Sequence, residues 1–126
     1  MNYLNYLNYL YIAATIVLTV FGQIAIKTQV LRAGALPADG ADKLAFLARL
    51  LLNPWIIAAF AAAFLASIAW MGAMTKFELS HAYPFMSLNF VIVLLLGAWL
   101  FHEPMSATRL LGVALICAGT IVAARG

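Results

Sequence analysis

Apolar residues run almost unbroken through four stretches of the chain, and polar residues collect between them. The first stretch covers 4–30 and carries no formal side-chain charge until Lys27; the others cover 54–75, 82–101 and 104–124. Each reaches roughly 20 residues, enough at about 1.5 Å per residue to cross a hydrocarbon layer about 30 Å thick. The runs are continuous instead of alternating, which predicts helices and not barrel strands. A helix also satisfies its own backbone hydrogen bonds in lipid, where an open sheet cannot. The fourth stretch is the tightest fit, because only residues 110–124 lie between Arg109 and Arg125. Fifteen residues span about 22 Å, so both arginines are expected to snorkel to opposite interfaces.

The punctuation agrees with this division. Pro54 and Pro104 stand where the first turn of a helix lacks N–H partners in any case, with Asn53 and Ser106 nearby as caps. Pro84 marks either the first turn of the third helix or a kink after a short preceding turn. The longest polar interval, 31–53, contains Gly34, Pro37, Asp39 and Gly40. On a helix over 41–52, Leu44, Leu47 and Leu51 share one side, which predicts a short interfacial helix. The other connections are short and favour an up-down arrangement. The opening NYL repeat puts Tyr3, Tyr6 and Tyr9 on a slowly drifting helical stripe suited to the headgroup level.

Composition strengthens the membrane assignment. Of 126 residues, 67% are apolar and only 9% charged, against about one half and one quarter in soluble domains. A soluble chain this small buries only about two-thirds of its unfolded surface and could not hide so much apolar material. The expected fold is therefore an all-α integral membrane protein, one four-helix transmembrane domain over 1–126. Seven basic and four acidic residues give a net charge of +3, but the basic residues are scattered singly. No basic patch interleaved with aromatics offers a surface to nucleic acid. The lone Cys117 lies in an apolar stretch, so an intrachain disulfide and a paired-cysteine metal site are both excluded. No Lys or Arg precedes the first apolar run, so it is not expected to be a cleavable signal peptide. Lys27, Arg32, Lys43, Arg49 and Arg109 fall to one side of a four-crossing chain, and Lys76 and Arg125 to the other. That bias predicts loops one and three in the cytoplasm and both termini outside it.

Polar residues inside the crossings are the candidates for function. Thr15, Thr19, Gln23 and Lys27 are each four apart and form a ladder ending in a cation. Facing lipid would be costly for Gln23, so the ladder should face other helices or a wet groove. Packing between helices with Lys27 snorkelling, and a path for an anionic headgroup, both satisfy that pattern. The Ala-rich second stretch, with Ser67 and Gly72, reads as close helix packing. Around the third, Glu78, Ser80, His81, Tyr83, Ser87 and Asn89 are concentrated, with Ser87 and Asn89 too deep to be loop residues. Glu103 is expected in the first turn of the fourth helix, where the dipole favours a carboxylate, and Arg109 either pairs with it or meets a phosphate. Gly112 and Gly119, seven apart, suggest a face for another helix.

No acidic residue falls in the middle of a crossing. A proton-coupled exporter of cations needs a buried ionisable group there. The chain also has no GxxxxGK phosphate loop, no HExxH metal motif and no GxSxG nucleophile elbow. No cofactor, metal site or catalytic residue is expected.

The segment AYPFMSLNFV, from Ala82 to Val91, followed by HEP at 102–104 and GVALICAGTIV from Gly112, resembles a family. It is similar to the small subunits of the 4-amino-4-deoxy-L-arabinose-phosphoundecaprenol flippase, in the drug/metabolite transporter superfamily. GQIAIK, from Gly22 to Lys27, is similar to the GQ-x-x-x-K pattern of their first helix. The wider resemblance is to small multidrug resistance proteins, four-helix chains that assemble as dimers. Their essential first-helix glutamate aligns with Thr19, which argues against proton-driven drug export.

The resemblance implies translocation of an undecaprenyl-phosphate-linked aminosugar across the bacterial inner membrane, by a homodimer or a heterodimer with a related four-helix subunit. On that reading the polyprenyl tail stays among the membrane lipids while the headgroup follows a polar groove. Lys27 is the first candidate for phosphate and Arg109 the second. Gln23, Ser87 and Asn89 would bind sugar or phosphate oxygens, and His81, Tyr83, Glu78 and Glu103 would recognise the aminosugar or stabilise a gate. The alternatives are a small-solute or multidrug exporter and a non-transporting subunit of a membrane complex.

Overall fold

A computed structural model describes the backbone of residues 3–126 and the side chains from residue 6 onward, so Tyr3 of the repeat lies outside the described side chains. The described residues form six helices and no strand: α1 Tyr3–Ala33, α2 Gly40–Leu51, α3 Pro54–Met74, α4 Leu79–Met86, α5 Leu88–Leu100 and α6 Ala107–Arg125. Four spans are long and apolar enough to cross a membrane: Tyr6–Ala33, Pro54–Met74, Leu79–Leu100 and Ala107–Arg125. This is the all-α, four-crossing bundle expected from the apolar runs, and the chain is a multi-pass membrane protein.

The most extensive seam joins α1 to α3. Small residues make it close. Ala59, Ala62, Ala66 and Ala73 of α3 are buried, and a Cβ on Gly22 would lie 3.3 Å from the Ala59 carbonyl oxygen. Without a hydrophobic drive between helices in lipid, such close backbone approach supplies the attraction through van der Waals contact. Ile12, Ile16 and Val20 of α1 meet Ala73 and Ala82 in the buried centre. Gly72 receives the Tyr11 ring, whose nearest atom would stand 2.5 Å from a Cβ at that position.

Asn53 starts α3 and ties it to α1. Its Oδ1 accepts from the Trp55 N–H at 2.8 Å, while its Nδ2 donates to Gln29 Oε1 at 3.0 Å. Pro54 follows at the first position of the helix, where the missing N–H costs nothing. Between these crossings α2 carries buried Phe46 on one side, with Leu44, Leu47 and Leu51 exposed. That unpartnered apolar stripe suits a helix lying in the interface.

The third crossing begins at Leu79, three residues before 82, and is broken at Ser87. Pro84 lies inside α4 rather than at its first turn. Lacking an N–H, it cannot bond the carbonyl four residues back. The chain then tightens, with the Ser87 N–H donating to the Pro84 carbonyl at 3.0 Å and the Phe90 N–H to the Ser87 carbonyl at 3.0 Å. These three-residue bonds are a short tighter turn within the crossing. Thr120 of α6 donates its hydroxyl to the carbonyls of Ile116, at 2.9 Å, and Pro84, at 3.3 Å.

The fourth crossing starts at Ala107, not at Pro104. Ser106 is the cap, its Oγ accepting from the Arg109 N–H at 3.2 Å. The Arg109 guanidinium donates back to the Pro104 carbonyl at 2.8 Å, which holds residues 104–106 outside the helix. Among the described residues, helix α6 touches only α4 and α5.

Candidate functional site

The crossings α1, α3 and α4–α5 enclose a groove with a volume of about 1060 Å³, as large as sites that take small organic ligands. Its α1 wall includes Thr15, Thr19, Gly22 and Gln23, and its α3 wall Ala59, Ala63, Ser67 and Trp70. Tyr83, Ser87, Asn89 and Val93 close the third side. The helical spacing of four explains why Thr15, Thr19 and Gln23 share a wall. The tightened turn at Ser87 explains why Ser87 and Asn89 both reach the groove, although two residues apart on a regular helix point about 200° apart.

The ladder is not uniform. Buried Thr15 donates its hydroxyl to the Tyr11 carbonyl of its own helix at 2.8 Å, so that donor is already used. Gln23 is exposed into the groove. Asn89 Oδ1 is buried and has no hydrogen-bond partner. An unpaired buried acceptor costs roughly 1–3 kcal/mol and is commonly explained by a missing ligand or water.

Lys27 lies one turn beyond Gln23, outside the groove lining. Its Nζ stands 3.8 Å from Glu103 Oε2, the one ion pair among the described residues. This corrects the expected first-turn position of Glu103 and sets aside one of the two alternatives for Arg109. Glu103 lies in the connection before the Ser106 cap, not in the first turn of α6, and its partner is Lys27 rather than Arg109. The cause is local. His102 adopts φ 55°, a left-handed turn uncommon for a residue with a Cβ. That turn folds Glu103 back over α5, where its N–H reaches the Gly97 carbonyl at 3.4 Å. Its carboxylate rests against Gly97, where a Cβ would collide with Oε1.

The remaining candidates lie elsewhere. His81 shares a 2.9 Å hydrogen bond with the Tyr9 hydroxyl and stacks on Phe77 with ring centroids 5.6 Å apart. Phe85 completes this aromatic cluster at the end nearer the termini. Glu78 occupies the cap position of α4 without a side-chain capping bond. Arg109 is engaged with Pro104. Of the nine sequence candidates, Gln23, Tyr83, Ser87 and Asn89 thus meet in the groove, and Lys27 and Glu103 meet beyond it. His81, Glu78 and Arg109 do not join either group.

Trp70 and Ser67 also line the groove, although the sequence does not mark them as site residues, and Trp70 meets Tyr83 edge-on at 6.0 Å. An indole in an Ala-rich helix is also a common packing group, so its type alone carried no signal. Tyr9 read only as an interfacial tyrosine in a repeat. All four acidic residues, Asp39, Asp42, Glu78 and Glu103, lie outside the four crossings.

No family model and no solved structure matches the chain. Curated proteins do. The chain is 36% identical over 112 residues to the probable 4-amino-4-deoxy-L-arabinose-phosphoundecaprenol flippase subunit ArnE of Pseudomonas aeruginosa strain UCBPP-PA14, a match covering 89% of this chain and 92% of that protein. The Pseudomonas paraeruginosa strain DSM 24068 / PA7 protein of the same description matches with the same identity and coverage. The Serratia proteamaculans strain 568 counterpart is 40% identical over 68 residues, 54% of this chain and 59% of its own. With four apolar crossings and a similarity that runs almost from end to end, the chain belongs to the ArnE family of flippase subunits.

Proposed function

We propose that this chain is a non-enzymatic carrier subunit that moves undecaprenyl-phosphate-linked 4-amino-4-deoxy-L-arabinose across the bacterial inner membrane. The observation that carries the proposal is a groove bounded by three crossings, with Gln23, Ser87 and an unpartnered Asn89 oxygen on it and Lys27 beyond one end. A polyprenyl tail remains in lipid while the polar headgroup moves along the groove, so the headgroup is spared hydrocarbon. Lys27 attracts the phosphate. Gln23, Ser87 and Asn89 exchange hydrogen bonds with sugar and phosphate oxygens. Tyr83, exposed beside Trp70, gives the sugar ring an aromatic edge. Arg109, once released from Pro104, adds a second positive charge on the loop-three side.

Assembly with a second four-helix subunit, identical or related, completes the walls. Support comes from α6, on which Thr120 is the sole buried residue within one chain, and from Gly112 and Gly119, which have open space beside them. Small residues at a membrane helix surface permit close docking of another helix. The excess of basic residues on the loop-one and loop-three side favours that side as cytoplasmic.

The test is reconstitution into liposomes, with the related subunit where one co-purifies, using defined undecaprenyl-phosphate sugars and a headgroup probe specific for one leaflet. Lys27→Met removes one charge-assisted contact worth about 1.5–3 kcal/mol, so transfer should fall about ten- to hundredfold with insertion intact. Unchanged transfer would refute the role of Lys27. Absence of transfer by the wild-type assembly would refute the carrier proposal.

A further inference from the structure

We infer that Lys27 and Glu103 form an exchangeable receptor for a zwitterionic headgroup, with Glu103 as the residue that selects an ammonium-bearing sugar. The inference rests on the carrier reading above and assigns Glu103 a distinct task within it.

Three observations converge on Glu103. Its carboxylate, in the connection after α5, faces Lys27 of α1 at 3.8 Å. It is seated against Gly97, the only position of α5 without a side chain to exclude it. It is brought there by a left-handed turn at His102, which glycine would adopt more readily. A left-handed residue is an ordinary helix ending; what is particular here is that it delivers a carboxylate to both Gly97 and Lys27.

The pair is built to open. At 46% and 47% side-chain exposure, and beyond ordinary hydrogen-bond length, it contributes little stability. Yet it sits one helical turn past Gln23, at the end of the groove nearer loops one and three. A phosphodiester alone, displacing Glu103 from Lys27, would leave a carboxylate beside an anion. A headgroup carrying both a phosphodiester and an ammonium exchanges charge for charge: Lys27 takes the phosphate and Glu103 the ammonium. The neutral pair then receives a neutral headgroup, with no charge stranded. Among the described residues, no other carboxylate pairs with Lys27. Asp39 and Asp42 belong to the start of α2, and Glu78 lies at the opposite end of the bundle. An N-acylated sugar, which lacks the ammonium, satisfies only half the receptor.

Binding to the full-length chain in lipid nanodiscs, with its related subunit where one co-purifies, separates the possibilities. The two probes are a polyprenyl-phosphate 4-amino-4-deoxy-arabinose and its N-formyl form. Wild type should prefer the free amine about tenfold, the equivalent of one charge-assisted contact. Glu103→Gln should abolish that preference by weakening the free amine while leaving N-formyl binding equal or tighter. Gly97→Ala, which evicts the carboxylate from its seat without altering charge, should reduce the preference in the same sense. Lys27→Met should weaken both probes.

Wild-type binding of both probes with equal affinity overturns the inference and leaves the carrier proposal standing. So does a full preference retained in Glu103→Gln. If Glu103→Gln does not fold, retention of the full preference in Gly97→Ala overturns it, and loss of the preference there supports it. Wild-type binding of neither probe overturns both.

Discussion

Replacing Asn53 by Ala should be among the more destabilising single changes at the end of the bundle next to Lys27. The side chain performs two tasks at once, capping α3 through Oδ1 and reaching Gln29 on α1 through Nδ2. Loss of the cap costs about 1 kcal/mol. Loss of the interhelical bond costs about 1 kcal/mol more. Gln29 is only 8% exposed, so stranding its oxygen adds roughly a further 1 kcal/mol. The total is about 3 kcal/mol, against a few tenths for an ordinary surface change. Unfolding in mixed micelles by increasing SDS fraction, followed by circular dichroism and tryptophan fluorescence, would measure it. Asn53→Asp keeps the capping acceptor and should cost less than Asn53→Ala. Gln29→Leu in the Asn53→Ala background should recover part of the loss, because the stranded acceptor is gone. Equal costs for Asn53→Ala and Asn53→Asp would refute the capping argument, and no recovery in the double variant would refute the stranding argument.

Gly22 provides a graded test of the α1–α3 seam. Gly22→Ala should be nearly neutral, since its Cβ needs a shift of only a few tenths of an ångström from the Ala59 carbonyl oxygen and Ala favours helix. Gly22→Val should cost about 1–3 kcal/mol by overpacking, read by the same SDS titration. Tyr9→Phe keeps the ring against Phe77 and Phe85 but removes the bond to His81. It should cost about 1 kcal/mol, and Tyr9→Ala distinctly more, since ring packing is lost as well.

The four-crossing fold was legible because the hydrocarbon layer imposes one dominant rule, a long apolar run that satisfies its own backbone. The capping roles of Asn53 and Ser106 followed from side-chain chemistry next to those runs. Gln23, Ser87 and Asn89 stood out because polar groups within apolar helices are costly, and the fold brings all three to one groove. What stayed hidden depended on backbone turns and distant contacts. Nothing about His102 announces φ 55°, so neither the fold-back of Glu103 nor its pairing with Lys27 could be read from spacing. The start of α6 shifted for the same reason: Pro104 is permitted in a first turn, but the Ser106 cap and the Arg109–Pro104 bond decide otherwise. Tyr9 and His81 meet because α1 and α4 are neighbours at one end of the bundle, a fact of topology that no local pattern encodes.

The joint at Ser87 divides the third crossing into two stiff rods, about 12 Å and about 20 Å long. The shorter is moored to Tyr9 and Thr120, while the longer carries Gly97 and the Glu103 seat. Because Pro84 lacks the N–H that would close one bond of the ladder at this joint, the third crossing resists bending there less than an uninterrupted helix of the same length would.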